Sequence, residues 1–316
     1  MPKRRNRQPI PRGRNAAHPS TNGVLELDRF SSADLDRWNR QSAQLDRLHN
    51  LLHFGFESQR NAVRSQLTDA LQAAEPCSVE LQGWCRIVPH RYSLDPLSPI
   101  GSLFSIGGRF NVGRDLPIDV RSPWPALYIA SDAETAYREK YGIARAHNHV
   151  GLGPTDFALM PRESLTVAAV NGHITHAFDL TTLTNLAPLC NAIGRFKMPS
   201  ELLGAIRALR IPRGKIRVIR TPINLHRAVM AANWRQWPLQ FDVPAVSQVL
   251  AGLILTAGYE AIQYPSSKSG ERCIAVFPQN LFHRESFIEL ASPAPPGTLH
   301  TRMDADNAAD FLAACR

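Results

Sequence analysis

A chain of 316 residues, 44% apolar and 20% charged, has the composition of a soluble globular protein and enough length for one large domain or two small ones. No stretch reaches the ~18 uninterrupted apolar residues of a membrane-spanning helix. The basic start MPKRRNRQPIPRGR leads into no apolar run, which argues against a Sec signal. Of the net charge of +9, six come from Lys3, Arg4, Arg5, Arg7, Arg12 and Arg14, so the rest of the chain is only mildly basic.

Residues 1–25 are rich in Arg, Pro and Asn and lack an apolar period; a disordered basic arm is expected there. Such an arm is a solubilising tail, or a weak non-specific contact for nucleic acid. Residues 26–79 read as a helical N-terminal extension. Leu45, Leu48, Leu52, Phe56, Val63, Leu67 and Leu71 recur at helical spacing, Ser31-x-x-Asp34 offers a start, and Gly55 is the candidate break. This stripe packs on the main domain or on a second copy, which makes the N-terminal helices a candidate homodimer surface.

Residues 80–290 form the main domain. Strands are predicted at 80–88, 126–130, 216–220, 261–264 and 273–277, and helices at 132–146, 200–209 and 243–257, the last ended by Gly258. Residues 291–316 read as a Pro- and Ala-rich tail that adds little. Without a steady βαβ alternation, the fold class expected is α+β.

Cys77, Cys85, Cys190, Cys273 and Cys315 are scattered with no C-x-x-C, so neither a disulfide framework nor a zinc site is indicated. His147-Asn-His149 and His173-x-x-His176 have no cysteine or carboxylate at ligand spacing, and no metal is expected. A Walker loop, a G-x-S-x-G elbow and H-E-x-x-H are all missing, and Gly151-Leu-Gly153 has no third glycine.

Three dispersed segments remain. In Gly107-Gly108-Arg109-Phe110-Asn111, paired glycines permit close backbone approach and Arg109 can grip a phosphate; an ordinary loop fits equally. Glu139 lies on the helix opened by Asp132, on a face shared with Ala136 and Ile143. Glu134 and Arg138 satisfy one another at i,i+4, whereas Glu139 has no basic residue four positions on. In Tyr264-Pro265-Ser266-Ser267 a hydroxyl follows a strand, though Pro-Ser-Ser is also plain turn chemistry.

Taken in order, Trp84-Cys85-Arg86, Gly107-Gly108-Arg109-Phe110-Asn111, Leu127-Tyr128-Ile129-Ala130-Ser131 through Glu139, and Ala261-Ile262-Gln263-Tyr264-Pro265-Ser266 resemble the RES family. The resemblance spans about 84–285, with a longer Glu-to-Ser step and a longer Asn111-to-Tyr128 interval than the family's short members. It implies an ADP-ribosyltransferase-like split β core around an NAD⁺ cleft, behind the N-terminal helical extension. It also implies a toxin of a toxin–antitoxin pair that destroys NAD⁺ as glycohydrolase or phosphorylase, with NAD⁺ as substrate and no bound cofactor. The partner implied is an Xre-like antitoxin, and the setting a cytoplasm, its own or a target cell's. Glu139, Arg86 and Ser266 are the catalytic candidates; Arg109, Tyr128, Gly108 and Asn111 are the substrate-binding ones. ADP-ribosyl transfer to a macromolecule, and a non-catalytic binding protein using the basic arm, are the alternatives.

Overall fold

The computed structural model describes residues 32–145, 152, 164–212, 214–291 and 293–315. The readings made for residues 1–25 and for His147, His149, Gly151 and Gly153 lie outside them. Residues 32–43, the start of a long helix, belong to a unit of their own, and the description that follows is of residues 44 onward.

Among the described residues, seven strands, β1 (Cys77–Pro89), β2 (Leu127–Ala130), β3 (Leu165–Asp179), β4 (Ala261–Pro265), β5 (Arg272–Val276), β6 (Phe287–Leu290) and β7 (Arg302–Asp304), form one mixed sheet. Their order is β1-β2-β5-β4-β3-β6-β7, and β1 also pairs with β3. Only β3–β4 is parallel; the other pairings are antiparallel. Among described residues the helices include α1 (Ser32–Ala62), α2 (Arg64–Gln72), α3 (Ala133–Tyr141), α4 (Ala187–Ile193), α5 (Ser200–Ala208), α6 (Pro222–Val229), α7 (Gln236–Phe241), α8 (Val246–Thr256) and α9 (Ala308–Ala313). The fold is therefore α+β, as expected.

Successive strand residues point to opposite faces, and here both faces are covered. Ala130, Ile262, Tyr264, Cys273, Ala275 and Phe277 enter a core shared with α2, α4, α6 and α8. Leu127, Ile129, Ala261, Ile274 and Val276 enter a second core, closed by Met303 and Phe311. Burial on both faces explains why β5 reads as a continuous apolar run from Cys273 to Val276, and why in β4 only Gln263 interrupts one.

Four expectations are corrected. The N-terminal stripe breaks at Val63, whereas Gly55 stays inside α1, where an added Cβ would lie 3.0 Å from Pro199. The helix opened by Asp132 stops at Tyr141 because Gly142 turns the chain into the left-handed region at φ 71°. Residues 216–220 form no strand: they find no ladder partner and lead to Thr221, the N-cap of α6. The tail contributes β7 and α9, and its Met303 and Phe311 are buried.

Candidate active site

β1 and β2 touch at a single register position, Cys85 opposite Ala130, and then diverge. The Arg86 side chain occupies the divergence. Nη1 donates to the Tyr128 carbonyl at 3.2 Å and Nη2 to the Ser98 carbonyl at 2.8 Å. Its Nε is buried with no partner among the described residues. Burial lowers the Arg86 pKa to about 10, against the pull of Asp95, so the guanidinium stays charged at neutral pH.

A cleft of about 420 Å³ opens here, within the range of small-molecule sites. Arg86, Gly108, Arg109, Tyr128 and Glu139 all line it. The net charge of the chain body gave no hint of its polarity. Arg86, Arg91, Arg109, Lys140, Arg235 and Lys268 face Asp95 and Glu139 around one opening, an arrangement that concentrates positive potential on an anionic guest.

Glu139 arrives on α3, which Asp132 caps by accepting from the Thr135 N–H at 2.8 Å. The opposite wall is the turn between β4 and β5. There Ser266 Oγ accepts from the Lys268 and Ser269 N–H groups at 3.0 and 3.1 Å and donates to Glu139 Oε1 at 2.5 Å. The hydroxyl has thereby used its one hydrogen and both lone pairs. Among the described residues, Oε2 of Glu139 receives no hydrogen bond. Thr135 and Ser269 join the same two elements at 2.9 Å, a second tie between the helix that carries the carboxylate and the turn.

The glycine-rich segment is tightly determined. Gly107 sits at φ 85°, and an added Cβ would lie 2.5 Å from backbone atoms; at Gly108 it would meet the Tyr128 hydroxyl at 2.4 Å. Tyr128 Oη accepts from the Phe110 N–H and donates to Asn111 Oδ1, both at 2.9 Å. Burial raises the pKa of this phenol, so it stays protonated. Asn111 is fully buried, and its amide donates to the carbonyls of Ser102 and Trp124 at 2.7 and 3.0 Å. It shapes the loop from beneath and presents no atom to the cleft.

Arg109 is buried as well. Nη1 donates to the carbonyls of Val229 and Ala231 at 3.1 and 3.0 Å, Nη2 to Ser267 Oγ at 3.2 Å, and the guanidinium lies 5.7 Å from the Trp234 ring. It ties the segment after α6 to the β4–β5 turn and leaves a fixed positive charge in the wall. Both serines of the Ser266-Ser267 pair thus hold a charged cleft residue.

Gln248 was missed by sequence reasoning. Fully buried in α8, it accepts from the Ala245 N–H at 3.0 Å. Its amide donates to the carbonyls of Ile106, Gly108 and Asn111 at 3.0, 3.1 and 2.9 Å. The one available signal was an amide directly before the apolar run Val-Leu-Ala-Gly-Leu-Ile-Leu, on the same helix.

Residues 192–292 match the model of the RES domain. The match agrees with the family that the motifs resemble; the matched segment contains Ser266 and Gln248, while Arg86, Arg109, Tyr128 and Glu139 precede it. Among solved structures the chain is similar to one described as the crystal structure of the M. tuberculosis MbcT–MbcA toxin–antitoxin complex. The identity is 15%, over 79% of this chain and 97% of that one, with a TM-score of 0.38, too low to establish a shared fold. No curated protein matches the chain.

Proposed function

We propose that the protein is the toxin of a toxin–antitoxin pair and cleaves the nicotinamide–ribose bond of NAD⁺, as a glycohydrolase or phosphorylase. The observation that carries this reading is the Ser266–Glu139 hydrogen bond at the edge of a cationic cleft. It fixes a carboxylate beside a surface suited to a diphosphate. Loss of nicotinamide leaves an oxocarbenium-like ribose, which a fixed negative charge in a water-poor site stabilises.

In this mechanism Glu139 faces the ribose with Oε2, accepting a hydroxyl hydrogen and stabilising the developing cation. Arg86 and Arg109 supply positive charge for the diphosphate, Gly108 permits close approach, and the Tyr128 ring packs on nicotinamide. Ser266 acts through Glu139. With its hydroxyl spent on Glu139, it orients the carboxylate. Asn111 acts by holding Tyr128 and the loop. NAD⁺ enters as substrate, not as a resident cofactor. The divergence of β1 and β2 supports reading the sheet as the split core of an ADP-ribosyltransferase-like fold. An Xre-like antitoxin is the proposed partner.

The test is NAD⁺ turnover by the purified full chain, with and without phosphate, beside Glu139→Gln. Loss of NAD⁺ with wild type and not with the variant is expected; ADP-ribose would name water as acceptor, and its 1″-phosphate would name phosphate. A labelled macromolecule, with one nicotinamide released per label and neither ADP-ribose nor its 1″-phosphate formed, would move the reaction to ADP-ribosyl transfer. Removing residues 1–22 is expected to leave turnover in place. If instead that deletion abolished function while Glu139 proved dispensable, the protein would be a binding protein using its basic arm.

A further inference from the structure

The cleft has a second wall, made from residues 89–104, that contains none of the carboxylate machinery. Tyr92, Ile100, Gly101 and Phe104 line it. Arg86 stands between the two walls, bonded to Ser98 on this side and to the carbonyl of Tyr128 on the other. From this arrangement, and resting on the NAD⁺ reading above, we infer that Tyr92 and Phe104 form a purine-binding subsite. They stack the adenine of a dinucleotide whose diphosphate lies at Arg86.

Three observations support the assignment. Phe104 is 48% exposed although it faces a cleft, an orientation that leaves a large aromatic surface in water until a ligand covers it. The backbone holds the ring there at a conformational cost. Ser105, the next residue, has φ 55°, unusual for a residue with a side chain. That turn is clamped by the Asp115 N–H donating to the Ser105 carbonyl at 3.0 Å, and by Gly113, where an added Cβ would lie 2.2 Å from the same oxygen. Thirdly, the surroundings suit a flat, electron-rich base. The Arg91 guanidinium lies 5.0 Å from the centre of the Tyr92 ring, and an added Cβ at Gly101 would meet nothing within 4 Å. Stacking on two aromatics needs no hydrogen-bond code and is worth roughly 5- to 150-fold in affinity per base.

The subsite is tested by calorimetric titration of the full chain with ADP and with inorganic pyrophosphate, neither of which carries the scissile bond. ADP is expected to bind at least tenfold more tightly than pyrophosphate. Phe104→Ala should lower ADP affinity about tenfold and leave pyrophosphate affinity unchanged, and Phe104→Trp should restore it. Tyr92→Leu gives an independent reading of the same loss, and matched thermal midpoints confirm folding. Equal binding of ADP and pyrophosphate to wild type, or equal ADP binding by wild type and both truncated variants, would overturn the assignment. Wild type that leaves NAD⁺ intact yet binds ADP through Phe104 would sink the cleavage reading and keep the subsite. The opposite pattern would sink the subsite alone.

Discussion

Ser266 and Glu139 are separated by 127 positions in the chain and meet at 2.5 Å, the serine hydroxyl donating to the carboxylate. Two backbone N–H groups of the β4–β5 turn fix the direction of that hydroxyl, and capped α3 fixes the carboxylate. Neither side chain needs to reorganise to present charge, which is the condition under which an active-site carboxylate is most effective. Ser266→Ala removes one hydrogen bond to a charged group and leaves two turn N–H groups without their acceptor. A bond of that kind is worth about 1.5–3 kcal/mol, so kcat for NAD⁺ loss should fall roughly 10- to 150-fold. Glu139→Gln should fall much further. Equal kcat for Ser266→Ala and wild type would show that the bond does not position the carboxylate.

Gln248 makes a comparable claim on the other side of the cleft. It satisfies three carbonyls of the 106–111 loop from a fully buried position. Gln248→Leu has similar size but takes the amide from all three: the Asn111 oxygen loses its donor, while those of Ile106 and Gly108 keep the backbone N–H groups of Gly113 and Asn111. A loss of about 2–4 kcal/mol in stability is expected, read as a fall of several degrees in thermal midpoint. Glutamate there would be worse, since a carboxylate would face three carbonyl oxygens. A Gln248→Leu protein as stable as wild type would mean that the loop holds its shape without the amide.

How much of this was readable beforehand depended on the kind of interaction. Strand β1 announced itself by alternation, and β2, β4 and β5 as short, largely apolar segments buried on both faces. Strand β3 did not. Its buried positions include Ala168, Val170, Gly172 and Ile174, small residues set among His173, Thr175 and His176, and its order comes from pairing with β1, β4 and β6. The converse error occurred at 216–220, where apolar residues had no neighbour to pair with. At the site, the structure brings Arg86, Gly108, Arg109, Tyr128 and Glu139, named by their motifs, to one cleft, with Ser266 bonded to Glu139. Which groups were spent on one another was not legible, because Ser266–Glu139 and Arg109–Ser267 are contacts of long sequence separation.

His53 sets a pH dependence of stability. It is only 6% exposed, and burial, reinforced by Arg60, lowers its pKa to about 4. The folded protein therefore holds this imidazole neutral where the unfolded chain, titrating near 6.5, would already bind a proton. The stabilising contribution is complete above about pH 6.5 and is lost as pH falls toward 4; across that window it amounts to about 3 kcal/mol. His53→Gln should flatten the decline in thermal midpoint between pH 7 and pH 4.5. An unchanged slope would assign the decline to other groups.

The C-terminal segment gives the last prediction. Phe311 is 1% exposed and sits in the second core, its ring 4.4 Å from that of His300. His300 Nδ1 lies 3.1 Å from the carboxylate of Asp95, a residue of the cleft wall, and the Leu299 N–H donates to the Leu94 carbonyl at 2.8 Å. The segment therefore braces the wall that contains Ser98, the acceptor for Arg86. Phe311→Ala opens a cavity and should cost about 3–5 kcal/mol of stability. Because the brace loosens as well, the KM for NAD⁺ should rise at temperatures where the variant is still folded. Thermal melting together with steady-state kinetics separates the two effects. A stability loss without any rise in KM would limit the segment to a packing role.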